Sequence, residues 1–281
     1  MASLRVIRTR IKSVGSTQKI TRAMKMVAAA RLRRSQQAVE QSRPYSKKVE
    51  EILNSLLPSV PPNLHPFLEG REVKKRLLVV FSSDRGLCGS FNANLLRQAD
   101  REMKSEISTT SFVIGRKGAA FSTRRGWSLF KKVEGFWSSF SYLRSAEVVE
   151  ELSDQFMKGA FDQIDLLFNE FHSVISQKPK LMTLLPLQIL KSDAEMKDYK
   201  FEPDVETIVR ELIPRVIHVR FYGGCLNSLA SEYGARMSAM DSATRNAGEM
   251  IDHLTLTMNR ARQAAITKEL VEIISGAEAL K

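Results

Sequence analysis

The chain has only two cysteines, Cys88 and Cys225, with no CxxC and no histidine-rich neighbourhood around either. That gives no case for a disulfide framework or a thiolate metal site, and two reduced thiols are the plain reading. Histidine is scarce as well: His65, His172, His218 and His253 are scattered, and none has metal-ligand spacing. No run of about 18 apolar residues occurs, so no segment reads as a membrane-spanning helix. Phosphate-binding signatures are missing too, with neither GxGxxG nor GK[ST] anywhere. No serine or cysteine has a recognisable activating context, so no motif supports an enzyme and no cofactor or metal is expected. The opening MASLRVIRTRI lacks the continuous apolar core of a secretory signal. It is basic and amphipathic like a transit peptide, but its pattern runs unbroken into a longer helix and reads as mature structure.

Acidic residues are almost absent from one region. Residues 1–48 hold thirteen Lys or Arg and a single acid, Glu40, and so carry the whole net charge of +12. A concentrated basic helix calls for an acidic partner: nucleic acid, anionic lipid or an acidic protein surface. What the chain has in quantity is apolar residue, 43% over 281 positions, enough for one large domain or a domain with extensions.

Three segments follow along the chain. Residues 3 to about 57 read as one helix with Leu4, Ile7, Ile11 and Val14 at 3-4-3 spacing, a seam packed on another helix. Arg5, Arg8, Arg10 and Lys12 lie off that seam. The stripe then shifts to Ile20, Met24 and Val27, which predicts loss of the strict heptad. Pro44 predicts a kink or a local loosening, and the proline-rich SVPPNLHP (59–66) ends the helix. Next, LLVVF (77–81), SFVI (111–114), IDLLF (164–168) and KLMTLL (180–185) read as strands, with helical patterns at 92–106, 117–125 and 145–160. Such alternation predicts an α/β layer, Rossmann-like, with mostly parallel pairing; Gly126–Gly135 has no clear pattern.

From about 205 the chain is helical again. Positions 226, 230, 233, 237, 240, 244, 247, 251, 254, 258, 261 and 265 alternate steps of four and three, and only Thr244 among them is not apolar. The fold expected is therefore α/β, with a long antiparallel two-helix coiled coil made by the chain ends and the α/β domain inserted between them. The boundaries expected are 1–58 for the first helix, 59–73 for a linker, 74–195 for the α/β domain and 205–281 for the last helix. About 73 residues against about 55 leaves about 18 unpaired, or about 27 Å of single helix at the C-terminal tip. A helix so exposed asks for a surrounding partner.

The loop SSDRGLCGSFN (82–92) stands between a strand and a helix, where α/β folds bind phosphate. Its composition favours a structural role, with Gly86 and Gly89 permitting a tight turn, and GRKG (115–118) reads as another turn. RLRR (31–34) would suit phosphate contacts in a basic, coiled-coil nucleic-acid-binding protein, though Tyr45 is the only aromatic residue of that helix. A merely solvated basic coiled coil is the ordinary alternative.

Three stretches bear on the choice. TQKITRAMKMVAAARLR (17–33), SDRGLCGSFNANL (83–95) and ARQAAITKELVEIISGAEAL (261–280) resemble the gamma subunit of F-type ATP synthases, and the last matches at Ile266, Thr267, Glu269, Glu272, Gly276, Ala277 and Ala279. The likeness extends over essentially the whole chain. It implies a non-catalytic rotor shaft turning inside a ring of alternating alpha and beta subunits that hold the nucleotide. It also implies a foot that contacts the epsilon subunit and the membrane rotor ring, driven by protons or sodium. Arg262 and Gln263 resemble the pair that hydrogen-bonds a beta-subunit loop, with Thr267 and Glu269 on the same surface. Met24 and Lys25, with Arg22 beside them, resemble residues facing the acidic lever of a beta subunit. Val216 to Tyr222 resembles the part of the foot near the rotor ring. Each has an ordinary reading as well, Met24 as core and Arg262 as a solvated helix charge. The regulatory cysteine pair of chloroplast members is missing, so thiol gating is not expected. The resemblance and the lack of an evident leader imply a bacterial protein, peripheral on the cytoplasmic face of the inner membrane and without nucleic acid.

Overall fold

The computed structural model describes residues 4–61, 64–187 and 202–278. Its contacts divide the chain into two compact units, one made of Ala29–Arg236 and the other of the chain up to Ala28 together with the chain from Met237. Two long helices run through both divisions: α1, Leu4–Leu56, and α5, Val205–Glu278.

In the Ala29–Arg236 unit, β1 (Lys75–Phe81), β2 (Ser108–Ile114), β3 (Leu129–Val133), β4 (Gln163–Phe171) and β5 (Gln177–Leu185) form one sheet in the order β3-β2-β1-β4-β5. Helices α2 (Phe91–Glu102), α3 (Arg116–Arg125) and α4 (Tyr142–Met157) connect the parallel strands. β1 pairs in parallel with both β2 and β4 and is buried from Arg76 to Phe81. A central parallel strand covered on both faces needs a continuous apolar run, which LLVVF supplies.

Within that run the side chains alternate. Leu77, Val79 and Phe81 join Phe112, Ile164, Leu166 and Phe168 in a large core with Leu152 and Phe156 of α4, Val216 and Phe221 of α5, and Leu53 of α1. Leu78, Val80 and Leu167 point the other way, onto Leu95, Leu96 and Ala99 of α2. The period of two in burial follows from the strand pleat. β5 alone runs antiparallel, on β4. Only residues 172–176 separate these strands, too few for a crossover, so a reversal is the available connection.

The helices differ in detail from their sequence patterns. α4 begins at Tyr142 instead of about 145, because the Ser141 hydroxyl caps it, accepting from the Arg144 amide at 3.2 Å. α2 stops at Glu102, where the Arg76 guanidinium donates to the Glu102 carbonyl at 2.7 Å and replaces the next helical partner. The stretch from Gly126 to Gly135 holds β3, bounded by these two glycines at φ +65° and +72°. α1 continues through Pro44, which lies on its exposed face.

In the second unit α1 and α5 pair antiparallel. Lys25 meets Asp241, and Gln18 and Thr21 both meet Thr244, so partner numbers rise as α1 is followed backwards. The α5 seam is visible in burial, with Met240 and Ala247 buried and 244, 251, 254, 258, 261 and 265 half-buried, each with an exposed neighbour on at least one side. The α1 seam does not shift. Ile20 and Val27 are 60% and 55% exposed, while the strict heptad continues through Gln18, Thr21, Lys25 and Ala28. Polar side chains hold those places because each finds a partner across the pair. Of the apolar stripe read as the seam, Ile20 and Val27 face outward and Met24 is half-buried at the edge of the pair.

Candidate partner-contact surface

The carboxyl ends of β1 and β4 flank the point where connections diverge to either side of the sheet, the usual ligand crevice of such folds. Here the loop after β1 spends its polar groups on the protein. The Asp84 carboxylate accepts the amides of Arg116 and Gly135 at 3.1 and 3.0 Å. Asn92 accepts from the Ser83 amide at 3.1 Å and donates to its hydroxyl at 2.7 Å. Gly115, at φ +104°, and Gly118 are required by close approach: a Cβ would lie 2.1 Å from the Ser82 carbonyl oxygen at the first and 2.6 Å from the Ser82 hydroxyl at the second.

α5 closes this crevice. Gly224 lets the helix rest on Phe81, at 3.3 Å from where a Cβ would stand. The Ser228 and Ser231 hydroxyls donate to the carbonyls of Phe81 and Asn169 at 3.4 and 2.9 Å. Arg236 donates to the carbonyls of Arg85 and Gly86 at 3.4 and 3.3 Å and holds Glu232 at 2.7 Å. Burial pushes the Glu232 carboxyl up, and the Arg236 charge draws it partly back. The loop 82–92 thus seats a helix where a nucleotide would otherwise sit. Sequence reasoning missed this contact. The signals were small residues on one helical face (Gly224, Ser228, Ser231) and an acid–base pair at i, i+4 (Glu232, Arg236).

The residues singled out from sequence fall in different places. Arg262, Gln263, Thr267 and Glu269 are all exposed on α5, beside and beyond half-buried Ala261 and Ala265. The Thr267 hydroxyl donates to the Gln263 carbonyl of its own helix at 3.0 Å. The side chains of Arg262, Gln263 and Glu269 have no ion pair among the described residues and are free to meet another surface. From 266 to 277 every residue is exposed, including Leu270, Val271, Ile273 and Ile274 at 54%, 56%, 68% and 62%. An apolar helix end left this bare is the mark of an interaction site.

On α1, Arg22 is exposed and Met24 half-buried, next to the bare Ile20, Met26 and Val27. Lys25 turns inward: its Nζ lies 2.6 Å from Asp241 Oδ1, and this hydrogen bond leads the lowering of the Asp241 pKa. Asp241 and Arg262 are 21 residues apart on one helix, about 31 Å, so the α1 and α5 groups make two patches. Tyr222 belongs to the other unit, stacked on Phe140 at 5.4 Å and edge-on to Tyr142 at 5.6 Å. Burial raises its hydroxyl pKa.

A model of the ATP synthase family matches residues 3–280. The ATP synthase gamma chain of Moorella thermoacetica is 44% identical over 282 residues, covering all of both chains. The chain belongs to the ATP synthase gamma chain family. Another member, the gamma chain of Geobacter metallireducens, is 47% identical over 287 residues, again covering both chains completely. Among solved structures, the central stalk and c-ring of Tetrahymena thermophila mitochondrial ATP synthase includes a similar chain. Its TM-score is 0.62 at 25% identity, over 80% of this chain and 99% of that one. A chain of the Euglena gracilis mitochondrial enzyme shares the fold, with TM-score 0.72 at 20% identity, over 99% and 94%.

Proposed function

We propose that this chain is the rotating central shaft of an F-type ATP synthase, carrying torque from an ion-driven membrane ring to the catalytic alpha and beta subunits. The observation that carries the reading is the C-terminal stretch of α5, helical to Glu278 yet with Ile266, Leu270, Val271, Ile273 and Ile274 all exposed. Such a helix end is stable in water only when something encloses it, and a ring of alternating subunits is an enclosure of that kind. The chain itself performs no chemistry in this reading. The filling of its Rossmann-like crevice by Gly224–Arg236 of α5 supports that reading, in which nucleotide binding is left to the alpha and beta subunits.

Arg262 and Gln263, with Thr267 and Glu269 a turn further on, form the catch against a beta subunit. Arg22 and Met24 form a second contact on α1, toward an acidic lever. Lys25 supports that contact from behind, through Asp241. The Tyr222 cluster, in the α/β foot (expected over 74–195, of which 188–195 lie outside the described residues) and the adjoining base of α5, lies toward the epsilon subunit and the membrane ring. No segment of the described residues is long and apolar enough to cross a membrane. In this reading the chain works as a peripheral protein on the cytoplasmic face of a bacterial inner membrane.

Reconstitution with purified alpha and beta subunits tests the reading. The chain should recover stoichiometrically with them, and Arg262→Ala with Gln263→Ala should lower ATPase turnover per assembled complex. A hydrogen bond to a charged group contributes about 1.5–3 kcal/mol, so the loss should be roughly tenfold or more. Wild-type turnover in a fully assembled double variant refutes the catch. Failure of the wild-type chain to assemble refutes the shaft.

A further inference from the structure

Between α2 and α3, on the side of the sheet away from the large core, lies a groove of about 430 Å³. Arg97, Lys117, Arg124 and Arg125 stand around it, with Phe121 in its wall and Asp100 as its only acid. All four cations are exposed. The guanidinium carbons of Arg124 and Arg125 lie 6.0 and 5.5 Å from the centre of the Phe121 ring. A ring face that holds two guanidinium groups restricts them before any ligand arrives, which reduces the entropy lost on binding a carboxylate.

Asp100 does not neutralise the groove. Its carboxylate already takes the Trp127 indole at 3.1 Å, Lys104 at 3.1 Å and Arg125 at 3.8 Å. Hydrogen bonds from Lys104, then Trp127, hold its pKa down, so it stays ionised and occupied. Arg97, Lys117 and Arg124 have no ion pair among the described residues. The Nε of Arg124 donates only to the Ala120 carbonyl of its own helix, at 3.3 Å.

We propose that this groove docks an acidic segment of a neighbouring protein. Two features favour a peptide over a small phosphate-like anion. First, the start of α3 has no amides to offer, because those of Arg116, Lys117 and Gly118 donate to Asp84, the Ser83 carbonyl and the Ser82 hydroxyl at 3.1, 3.0 and 2.8 Å. A phosphate at a helix N-terminus depends on those donors. Second, Lys117 and Arg124 are seven residues apart on α3, about 10 Å along the axis. With Arg97 on α2 opposite, the cations are spread along the groove, a spacing that suits successive carboxylates on an extended or helical segment. Because the chain is read as one subunit of a larger assembly, the partner is another subunit of that assembly.

The test uses the purified assembled complex and a zero-length carbodiimide, which joins an amine only to a carboxylate in direct contact. Mass spectrometry should find Lys117 coupled to an Asp or Glu of a different subunit. Arg97→Glu with Arg124→Glu should cut that yield by about tenfold or more, because like charges would meet across the contact. Arg97→Lys with Arg124→Lys should retain it, and tryptophan fluorescence on both variants checks folding. Three results overturn the proposal: Lys117 coupled only within its own chain, a yield unaffected by charge reversal, or saturable one-to-one pyrophosphate binding that reversal abolishes. The last would assign the groove to small anions. A complex that assembles without the cross-link refutes only the groove; a chain that never co-purifies with other subunits refutes the shaft.

Discussion

Arg236 ties α5 to the loop after β1, and its removal should produce a stability loss that depends on pH in a defined direction. Glu232 and Arg236 lie 2.7 Å apart with side chains only 10% and 11% exposed. Substituting Arg236→Met keeps much of the apolar volume but leaves the Glu232 carboxylate buried without its cation. Breaking one side of a buried pair costs about 3–5 kcal/mol. It also removes the two hydrogen bonds that Arg236 Nη2 donates to the carbonyls of Arg85 and Gly86. Burial already raises the Glu232 pKa, and without Arg236 the main opposing influence is gone, so the pKa climbs further.

A carboxyl whose folded pKa lies above its unfolded value of about 4.3 favours the folded state fully at low pH. That contribution is lost as pH rises through the folded pKa. The variant should therefore be more stable near pH 5 than near pH 8, with a steeper fall than wild type. Urea unfolding followed by tryptophan fluorescence reads this directly, since Trp127 and Trp137 both lie in the Ala29–Arg236 unit and Trp137 donates to the Ser82 carbonyl at 2.6 Å. Adding Glu232→Gln should recover most of the loss at pH 8 and flatten the pH dependence. A loss below about 0.5 kcal/mol, the scale of an ordinary surface substitution, or a wild-type pH slope would refute the reasoning.

Gly118→Ala should cost about 1–3 kcal/mol as overpacking, because the added carbon would lie 2.6 Å from the Ser82 hydroxyl and 2.7 Å from Val113; an unchanged urea midpoint would show that the α3 start can yield. Arg22→Glu, at an exposed position clear of the seam, should lower the ratio of ATP-driven proton pumping to ATP hydrolysis in membrane vesicles. An unchanged ratio with normal assembly would remove Arg22 from the contact. Lys25→Glu is a poorer test, since it also sets a second carboxylate against Asp241.

The α5 seam, the buried strands and the order of elements were legible because each is a local periodicity. Apolar residues at alternating steps of three and four face one partner helix whatever the rest of the chain does, and LLVVF reads as a strand buried on both faces. The α1 seam was misread for the same reason. Hydrophobicity marks any surface that will be covered, and Ile20, Met24 and Val27 form a stripe as good as the true seam. Gln18, Thr21 and Lys25 look like surface until Thr244 and Asp241 are seen opposite them.

The candidate contacts divide similarly. That Arg262 and Gln263 lie off the seam follows from phase alone, and so does the bareness of a helix that outruns its partner. That Lys25 is spent on Asp241, that Arg236 and Glu232 close the crevice over the Gly-rich loop, and that four cations gather around Phe121 depend on pairings between residues far apart in the chain. Sequence by itself determined which segments are helix or strand and which helical face is apolar, because backbone period and side-chain transfer energy are properties of neighbours in the chain. Tertiary structure decided which polar groups are consumed inside and which remain for a partner, because a hydrogen bond or ion pair is satisfied by whatever the fold brings within about 3 Å.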